Sequence, residues 1–437
     1  MLRPEDNAYI TRIGPGTPMG ALMRQYWVPA MLSSELPRPD CPPVRVKLLG
    51  EKLIAFRDSS GQAGLLANLC PHRGASLFFA RNSECGLRCV YHGWKFDVTG
   101  RCVDMPSEPP DSTFKDRVRA TAYPCVERGG LVWTYMGPRA EPPPLPDLEA
   151  TQLPASEVTA MAYQRECNWL QGLEGDIDTA HIGFLHYGQD RPEDEIPGTF
   201  RYYALADRAP KYAVLDTPYG AMYGAYRPAG PGRVYWRIAQ WMFPFWTMPP
   251  TGLLGGHMVA RAWVPMDDTH MLMFMVMPKR REEMREGVRG APRPIEVLPN
   301  GTGWYDRFRL VANEENDYLM DRDAQERDEE YSGITGIHVQ DQAITESMEP
   351  VYDRSLEHLG SSDAMVIRAR RRLITAAKAL EAEGTTPPGV DNPASYAQRS
   401  GGVFLREDED WVTATESLRA GYTDHPELDP AIIGGFV

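Results

Sequence analysis

No stretch of 18 consecutive apolar residues occurs in this 437-residue chain, so no membrane-spanning helix is expected. The start, Met1-Leu2-Arg3-Pro4-Glu5-Asp6-Asn7, lacks the apolar core of a secretory signal, which makes the cytoplasm the expected location. Positive charge is in deficit: 46 Lys and Arg stand against 60 Asp and Glu, a net charge of −14. That balance argues against nucleic acid and anionic membrane as partners and suits a basic protein partner. Cysteine is scarce. The seven present (Cys41, Cys70, Cys85, Cys89, Cys102, Cys125 and Cys167) are scattered, a poor disulfide framework in so long a chain. Metal binding is the better expectation for some of them. There is no internal repeat and no low-complexity tract. What remains is an ordinary globular composition, with length for two or three domains.

Residues 1–40 read as an N-terminal helical arm. Thr17 can cap a helix with Pro18 in its first turn, and Met19, Leu22, Met23 and Tyr26 recur at helical spacing until Pro29. Residues 41–140 change to short β-like runs such as Val44–Leu49 and Gly130–Tyr135, punctuated by Gly and Pro, as in a compact antiparallel domain. A Pro-rich linker covers 141–149. The remainder, 150–437, mixes helix and strand signals. Strand-like runs at Val234–Phe243, His257–Val264 and Met271–Met277 suggest an antiparallel sheet. Ser361 or Ser362 can cap a long helix over 363–383, with Gly384 past its end. The charged stretch 306–330 reads as a solvated face. The fold class expected is α+β: an antiparallel β-domain followed by a helix-and-antiparallel-sheet domain.

The strongest motif is Cys70-Pro71-His72-Arg73-Gly74, followed by Cys89-Val90-Tyr91-His92-Gly93-Trp94. Two thiolates and two imidazoles suit a [2Fe–2S] cluster in which cysteines hold one iron and histidines the other. Cys₂His₂ also serves zinc. Zinc-finger spacing, however, pairs Cys with Cys and His with His, whereas each arm here pairs Cys with His.

A second cluster follows in Glu174-Gly175-Asp176-Ile177-Asp178-Thr179-Ala180-His181-Ile182-Gly183-Phe184-Leu185-His186. Glu174, Asp178 and His181 can share a helix face. His181 and His186 are five apart, roughly 140° on an ideal helix. They converge on one metal only if the helix loosens or ends between them, and Gly183 sits there. Two histidines and a carboxylate form the facial triad of non-haem Fe(II) oxygenases, with positions left open for O₂. Spacing alone does not choose the carboxylate.

These residues carry a family resemblance. The two arms, the Asp178–His186 segment, the opening Ile13-Gly14-Pro15-Gly16-Thr17-Pro18-Met19-Gly20 and the segment Gln340–Ser347 resemble the α subunits of Rieske non-haem iron aromatic-ring-hydroxylating oxygenases. The nearest likeness is to their phthalate dioxygenase-like branch, which also contains aromatic O-demethylases. The resemblance implies Cys70, His72, Cys89 and His92 as cluster ligands. It implies His181, His186 and Asp341 on a mononuclear iron; Glu346 and Asp353 are the fallback acids. It implies that Asp178 bridges subunits, linking His181 to His92 of the partner subunit. Ala75 and Tyr91 occupy the positions of the cysteines that form a disulfide in respiratory Rieske proteins, so that disulfide is not expected. The resemblance further implies a homotrimer or stacked trimers, working head to tail. It also implies a reductase carrying FMN and a plant-type [2Fe–2S] centre.

The expected activity is hydroxylation or oxidative demethylation of an aromatic substrate, an aromatic carboxylate above all, with O₂ and two supplied electrons. Trp236, Trp241, Met242, Phe243, Phe245, Trp246 and Met248 are candidates for an apolar slot, Trp241 and Phe243 foremost, although core is the plainer role for most. Arg237 lies in the same run, where it can meet a substrate carboxylate or form a structural salt bridge. The rivals are an electron carrier without oxygenase chemistry and a zinc-stabilised binding module.

Overall fold

The computed structural model describes residues 2–188, 190–256, 258–279 and 295–425. Thr17 caps the helix Pro18–Met23, its Oγ1 accepting from the Gly20 N–H at 3.1 Å. This helix stops before Tyr26. The next segment, Trp27–Leu32, is a fully buried strand paired antiparallel with Leu131–Tyr135, which also pairs with Cys125–Arg128. The arm is therefore part helix and part sheet. Pro29, which has no N–H to donate, sits where the register slips. The helical spacing of Tyr26 is coincidental to a run whose aromatic and branched residues fill a buried strand.

Between these strands lies a β-domain of two small antiparallel sheets. One orders Val44–Leu48, Glu51–Arg57, Ala63–Ala67 and Ala122–Tyr123. The other orders Arg81–Asn82, Leu87–Arg88, Lys95–Phe96 and Cys102–Asp104. They share a core of Ile54, Phe56, Leu66, Leu77, Leu87 and Phe96, into which Cys70, Cys89 and Trp94 are also packed.

The second domain is built on an eight-stranded antiparallel sheet. Arg233–Met242 is its hub, pairing with Gly220–Pro228, Trp246–Met248 and Gly401–Arg406. Ala260–Pro265, Met271–Pro278 and Val158–Arg165 complete one wing. The expected strand 257–264 begins at Ala260, and His257 lies outside the described residues. The helix Trp169–Ile177 lies on this sheet. Asn168 caps it, its Oδ1 accepting from Leu170 N–H at 3.1 Å. Contact is close at Gly172, where a Cβ would stand 2.5 Å from the Trp263 ring. Gln171 ties the helix to the carbonyls of Thr345 and Glu349, both at 2.9 Å.

The long helix runs Ala364–Glu383 and ends on Gly384 in the left-handed region, φ +68°. No serine caps it: Ser361–Asp363 form a 3₁₀ turn, and the Asp363 carboxylate accepts from Gly360 N–H at 2.6 Å. The stretch 306–330 is not simply a solvated face. Arg307 is buried and grips Glu35 through two bonds of 2.6 and 2.8 Å, joining the N-terminal segment to the second domain. Among the described residues no helix is long and apolar enough to cross a membrane.

Candidate metal centres and catalytic cavity

The two cysteine–histidine arms fold into matching loops. Gly74 N–H donates to Cys70 O at 2.9 Å, and Gly93 N–H to Cys89 O at 2.9 Å. Cys70 N–H donates to Ala75 O and Cys89 N–H to Trp94 O, both at 2.8 Å. Each loop turns through a glycine with positive φ, +73° at Gly74 and +79° at Gly93, where a side chain would be strained. At Gly93 a Cβ would also stand 2.6 Å from Pro106. Both thiols are buried and unbridged, while the two imidazoles are half-buried, with ring centroids 4.4 Å apart. Trp94 stacks on His72 at 4.2 Å. Two buried thiols and two half-buried imidazoles, each arm giving one of each, are a donor set that would suit a [2Fe–2S] cluster with cysteines on one iron and histidines on the other. Around the tip, Leu69, Phe79, Val90, Tyr91 and Phe114 are exposed.

The second centre begins where the helix Trp169–Ile177 ends. Asp178 is not on its face; it is the extended residue past its C-terminus, φ −86° and ψ 130°. Its Oδ1 accepts from Ala180 N–H at 2.7 Å, which turns the chain and places His181 beside it. The segment Ile182–His186 then winds as a π-turn. A π-turn holds about one residue more than an α-turn, so residues five apart come to one side. This winding supplies the loosening that the spacing demanded. Gly183 does not take positive φ; its carbonyl accepts from Arg208 at 2.7 Å.

His181 Nε2 and His186 Nε2 stand 3.2 Å apart. Asp341 Oδ1, from the helix Ile337–Glu346, lies 3.6 and 3.3 Å from them. The outer nitrogens are engaged elsewhere: His181 Nδ1 lies 3.1 Å from Asp178 Oδ2, and His186 Nδ1 lies 2.8 Å from Gln340 Oε1. Gln340 donates its amide N–H to Ile334 O at 2.8 Å, so its oxygen faces the imidazole. Both Nδ1 atoms are thereby the protonated ones, and two Nε2 lone pairs meet a carboxylate oxygen. Without a cation these three would repel; with one they converge as ligands. Burial alone would raise the Asp341 carboxyl, but when the imidazoles of His186 and His181 carry a second proton, standing in for the cation, they outweigh it and hold it well below the usual range. Asp178 is likewise held low, by His181 against the effect of burial.

The fallback acids lie apart from this group. Glu346 accepts from Tyr318 O–H at 2.6 Å and Glu166 N–H at 2.7 Å. Asp353 caps its own turn through Ser355. Glu174 is not beside the histidines either: it is buried in bonds to Arg354 (2.8 Å) and Arg370 (2.5 Å).

Beside the histidines is a cavity of about 140 Å³. That is the scale of a void of roughly 150 Å³ that accepts a benzene ring. Arg237, Thr179, Tyr223, Phe200, Asp176 and Arg261 are among its lining residues. Arg237 is 1% exposed and bonds Thr179 Oγ1 and Pro250 O (3.2 Å), with its guanidinium 3.8 Å above the Phe200 ring. Among the described residues no carboxylate pairs with it, and its Nε has no hydrogen-bond partner. The structural salt bridge expected as its alternative role is absent there. Tyr223 is fully buried.

Trp241 and Phe243, expected at the slot, do not line it. Trp241 shares the sheet face of Arg237 but lies four residues on, roughly 13 Å at strand rise. Phe243 follows the strand's end, and the two rings pack together at 4.7 Å in the main core. Gln340, Asp176, Thr179 and Tyr223 were not singled out from the sequence. Gln340 adjoins Asp341, but consecutive helix residues point about 100° apart, so spacing gives no sign that both reach the histidines.

A domain of Cys/His loops suited to [2Fe–2S], joined to one where two histidines and an aspartate converge beside a ring-sized cavity, defines an iron–sulfur-dependent non-haem oxygenase. Residues 26–124 match the Rieske [2Fe-2S] domain family, and residues 134–419 match the family described as LigXa C-terminal domain like. The chain is 47% identical over 433 residues to the oxygenase subunit of 3-chlorobenzoate-3,4-dioxygenase from Comamonas testosteroni, covering 96% of this chain and 99% of that one. It is 37% identical over 424 residues to the phthalate 4,5-dioxygenase oxygenase subunit of Pseudomonas putida, covering 94% of each. Its fold matches that of dicamba monooxygenase with a TM-score of 0.56 at 19% identity, covering 83% of this chain and 99% of the other. The chain belongs to the Rieske non-haem iron oxygenases, in the phthalate dioxygenase-like branch. It is an oxygenase component with a [2Fe–2S] cluster, a mononuclear iron and O₂ as co-substrate. The electron-carrier and zinc-module readings are set aside.

Proposed function

We propose that this oxygenase acts on an aromatic carboxylate, which Arg237 holds by its carboxylate. The observation that carries this is a fully buried guanidinium lining the cavity with no carboxylate partner among the described residues. A buried cation needs an anion, and the substrate supplies it. Phe200 beneath the guanidinium and the apolar walls receive the ring. Thr179 steers Arg237, and its neighbour Asp178 orients His181, so substrate and metal are positioned by one short segment. The relatives named for 3-chlorobenzoate and phthalate support an acid substrate.

We assign Cys70 and Cys89 to one cluster iron, His72 and His92 to the other, and His181, His186 and Asp341 to the mononuclear iron, which activates O₂ when bound. Asp178 is assigned as the link to His92 of the partner subunit. Among the described residues, no hydrogen bond within the chain joins the cluster histidines to Asp178, and the cluster tip carries an exposed apolar rim suited to a neighbour. This reading calls for a homotrimer or stacked trimers, an FMN and plant-type [2Fe–2S] reductase, and a cytoplasmic location. The domain division 1–40, 41–140, 141–149 and 150–437 belongs to the same proposal, with the strand 27–32 joining the β-domain.

The test is a screen of aromatic carboxylates and methoxyarenes with holoenzyme, reductase and O₂, products identified by mass. Arg237→Gln should lower kcat/KM for carboxylates by about a hundredfold, from the loss of a buried charge-assisted pair. Unchanged turnover of every carboxylate by that variant would refute the role of Arg237.

A further inference from the structure

The cavity holds a second arginine, and its situation differs. Arg261 faces Asp176 in a direct ion pair, the Asp176 side chain being only 6% exposed. The other Asp176 oxygen accepts from Thr247 O–H at 2.5 Å, and Thr247 accepts in turn from Trp263 Nε1 at 3.0 Å. The pair is therefore built in, not a chance surface contact. Register fixes where it stands. Arg261 pairs across to Thr247, and Thr247 to Trp241, four residues along the strand from Arg237. All four share one sheet face. Two strand spacings and four residues separate the arginine Cα atoms by roughly 16 Å. Their side chains line the same cavity from two ends.

One end thus offers an uncompensated cation, and the other an ion pair of zero net charge. Arg227 is also buried with no carboxylate partner among the described residues, but it bonds Asp207 O at 2.6 Å and does not line the cavity. We infer that the cavity selects aromatic acids bearing a single carboxylate, and that the Asp176–Arg261 pair excludes a second one. This rests on the reading of Arg237 as the carboxylate anchor. A second carboxylate reaching the far end would be desolvated beside Asp176, with no unpaired cation there among the described residues to compensate it. A neutral substituent meets no such penalty. Arg261 Nε, buried with no hydrogen-bond partner among the described residues, can donate to a hydroxyl or ether oxygen.

Calorimetric titration of the holoenzyme tests this with methoxybenzoates, the three benzene dicarboxylates and neutral methoxybenzene. The best monocarboxylate should bind at least tenfold more tightly than any dicarboxylate. In Asp176→Asn, Arg261 is left uncompensated, and the preference should fall below threefold. Should that variant fail to fold, Arg261→Gln leaves Asp176 unpaired and should widen the preference instead. A dicarboxylate bound by wild type as tightly as the best monocarboxylate overturns this inference alone. So does an unchanged preference in a folded variant. Binding of methoxybenzene with no carboxylate bound would overturn the anchor reading and this inference together.

Discussion

His181 and His186 turn their Nε2 atoms toward each other at 3.2 Å while each Nδ1 is held from outside, by Asp178 on one ring and Gln340 on the other. The two rings are thus oriented before any metal arrives.

His181→Ala and His186→Ala should each lose the mononuclear iron and keep the visible Rieske spectrum. Gln340→Leu should retain all three donors yet weaken iron binding by about ten- to a hundredfold, because the His186 tautomer is no longer set. Iron titration followed by metal analysis checks this. Wild-type affinity in the Leu variant would show that Gln340 does not support the site.

Cysteine replacement should have the opposite signature. Cys70→Ser or Cys89→Ser should bleach the visible absorption, and iron should fall from about three atoms per chain toward one, the nuclearity of the remaining site. A colourless wild-type protein containing zinc would contradict the cluster outright.

Asp178→Asn removes the charge that orients His181 while keeping its shape. The cluster should still be reduced normally, and iron content should change less than activity. Single-turnover reoxidation of the pre-reduced protein, with substrate and O₂ present, should slow severely. Reoxidation at the wild-type rate would return Asp178 to an ordinary structural role.

Glu174 makes a stability prediction. Burial alone would raise its carboxyl, but Arg354 and Arg370 outweigh that and hold it below its usual range. A carboxyl depressed in the folded state stabilises above its unfolded pKa, near 4.3, and that contribution is lost as pH falls through the folded value. Glu174→Gln should therefore destabilise by about 3 kcal/mol at neutral pH, the cost of unpairing buried charges. The gap to wild type should hold from pH 7 to 5 and narrow below about pH 4.3. Denaturant melts followed by tryptophan fluorescence at each pH measure it. A gap independent of pH down to 3.5 would mean that Glu174 contributes through packing rather than charge.

Much of this enzyme was legible from short-range pattern. The Cys-x-His and Cys-x-x-His arms, their glycines and the Asp178–His181–His186 spacing are local, and a ligand loop is a local object whose donors are set by neighbours in the chain. Even the need for a loosened helix between the histidines followed from turn geometry, although its form as a π-turn did not. The buried strand Trp27–Leu32 was misread because helical and strand periods cannot be told apart over so few apolar residues.

Long-range questions were decided only by tertiary structure. Among the acids of the described residues, Asp341 is the one brought within 3.6 Å of both imidazoles, by the helix Ile337–Glu346. Arg261 and Asp176 were two unremarked charges among 106 acidic and basic residues, and Arg237 had two roles open, until the sheet register and the helix end placed them around one cavity. Whether a charge is paired depends on what stands across from it in space. Residue order sets which donors this chain carries; the fold settles which of its charges are satisfied, because Coulomb partners are chosen by distance and burial, not by position along the chain.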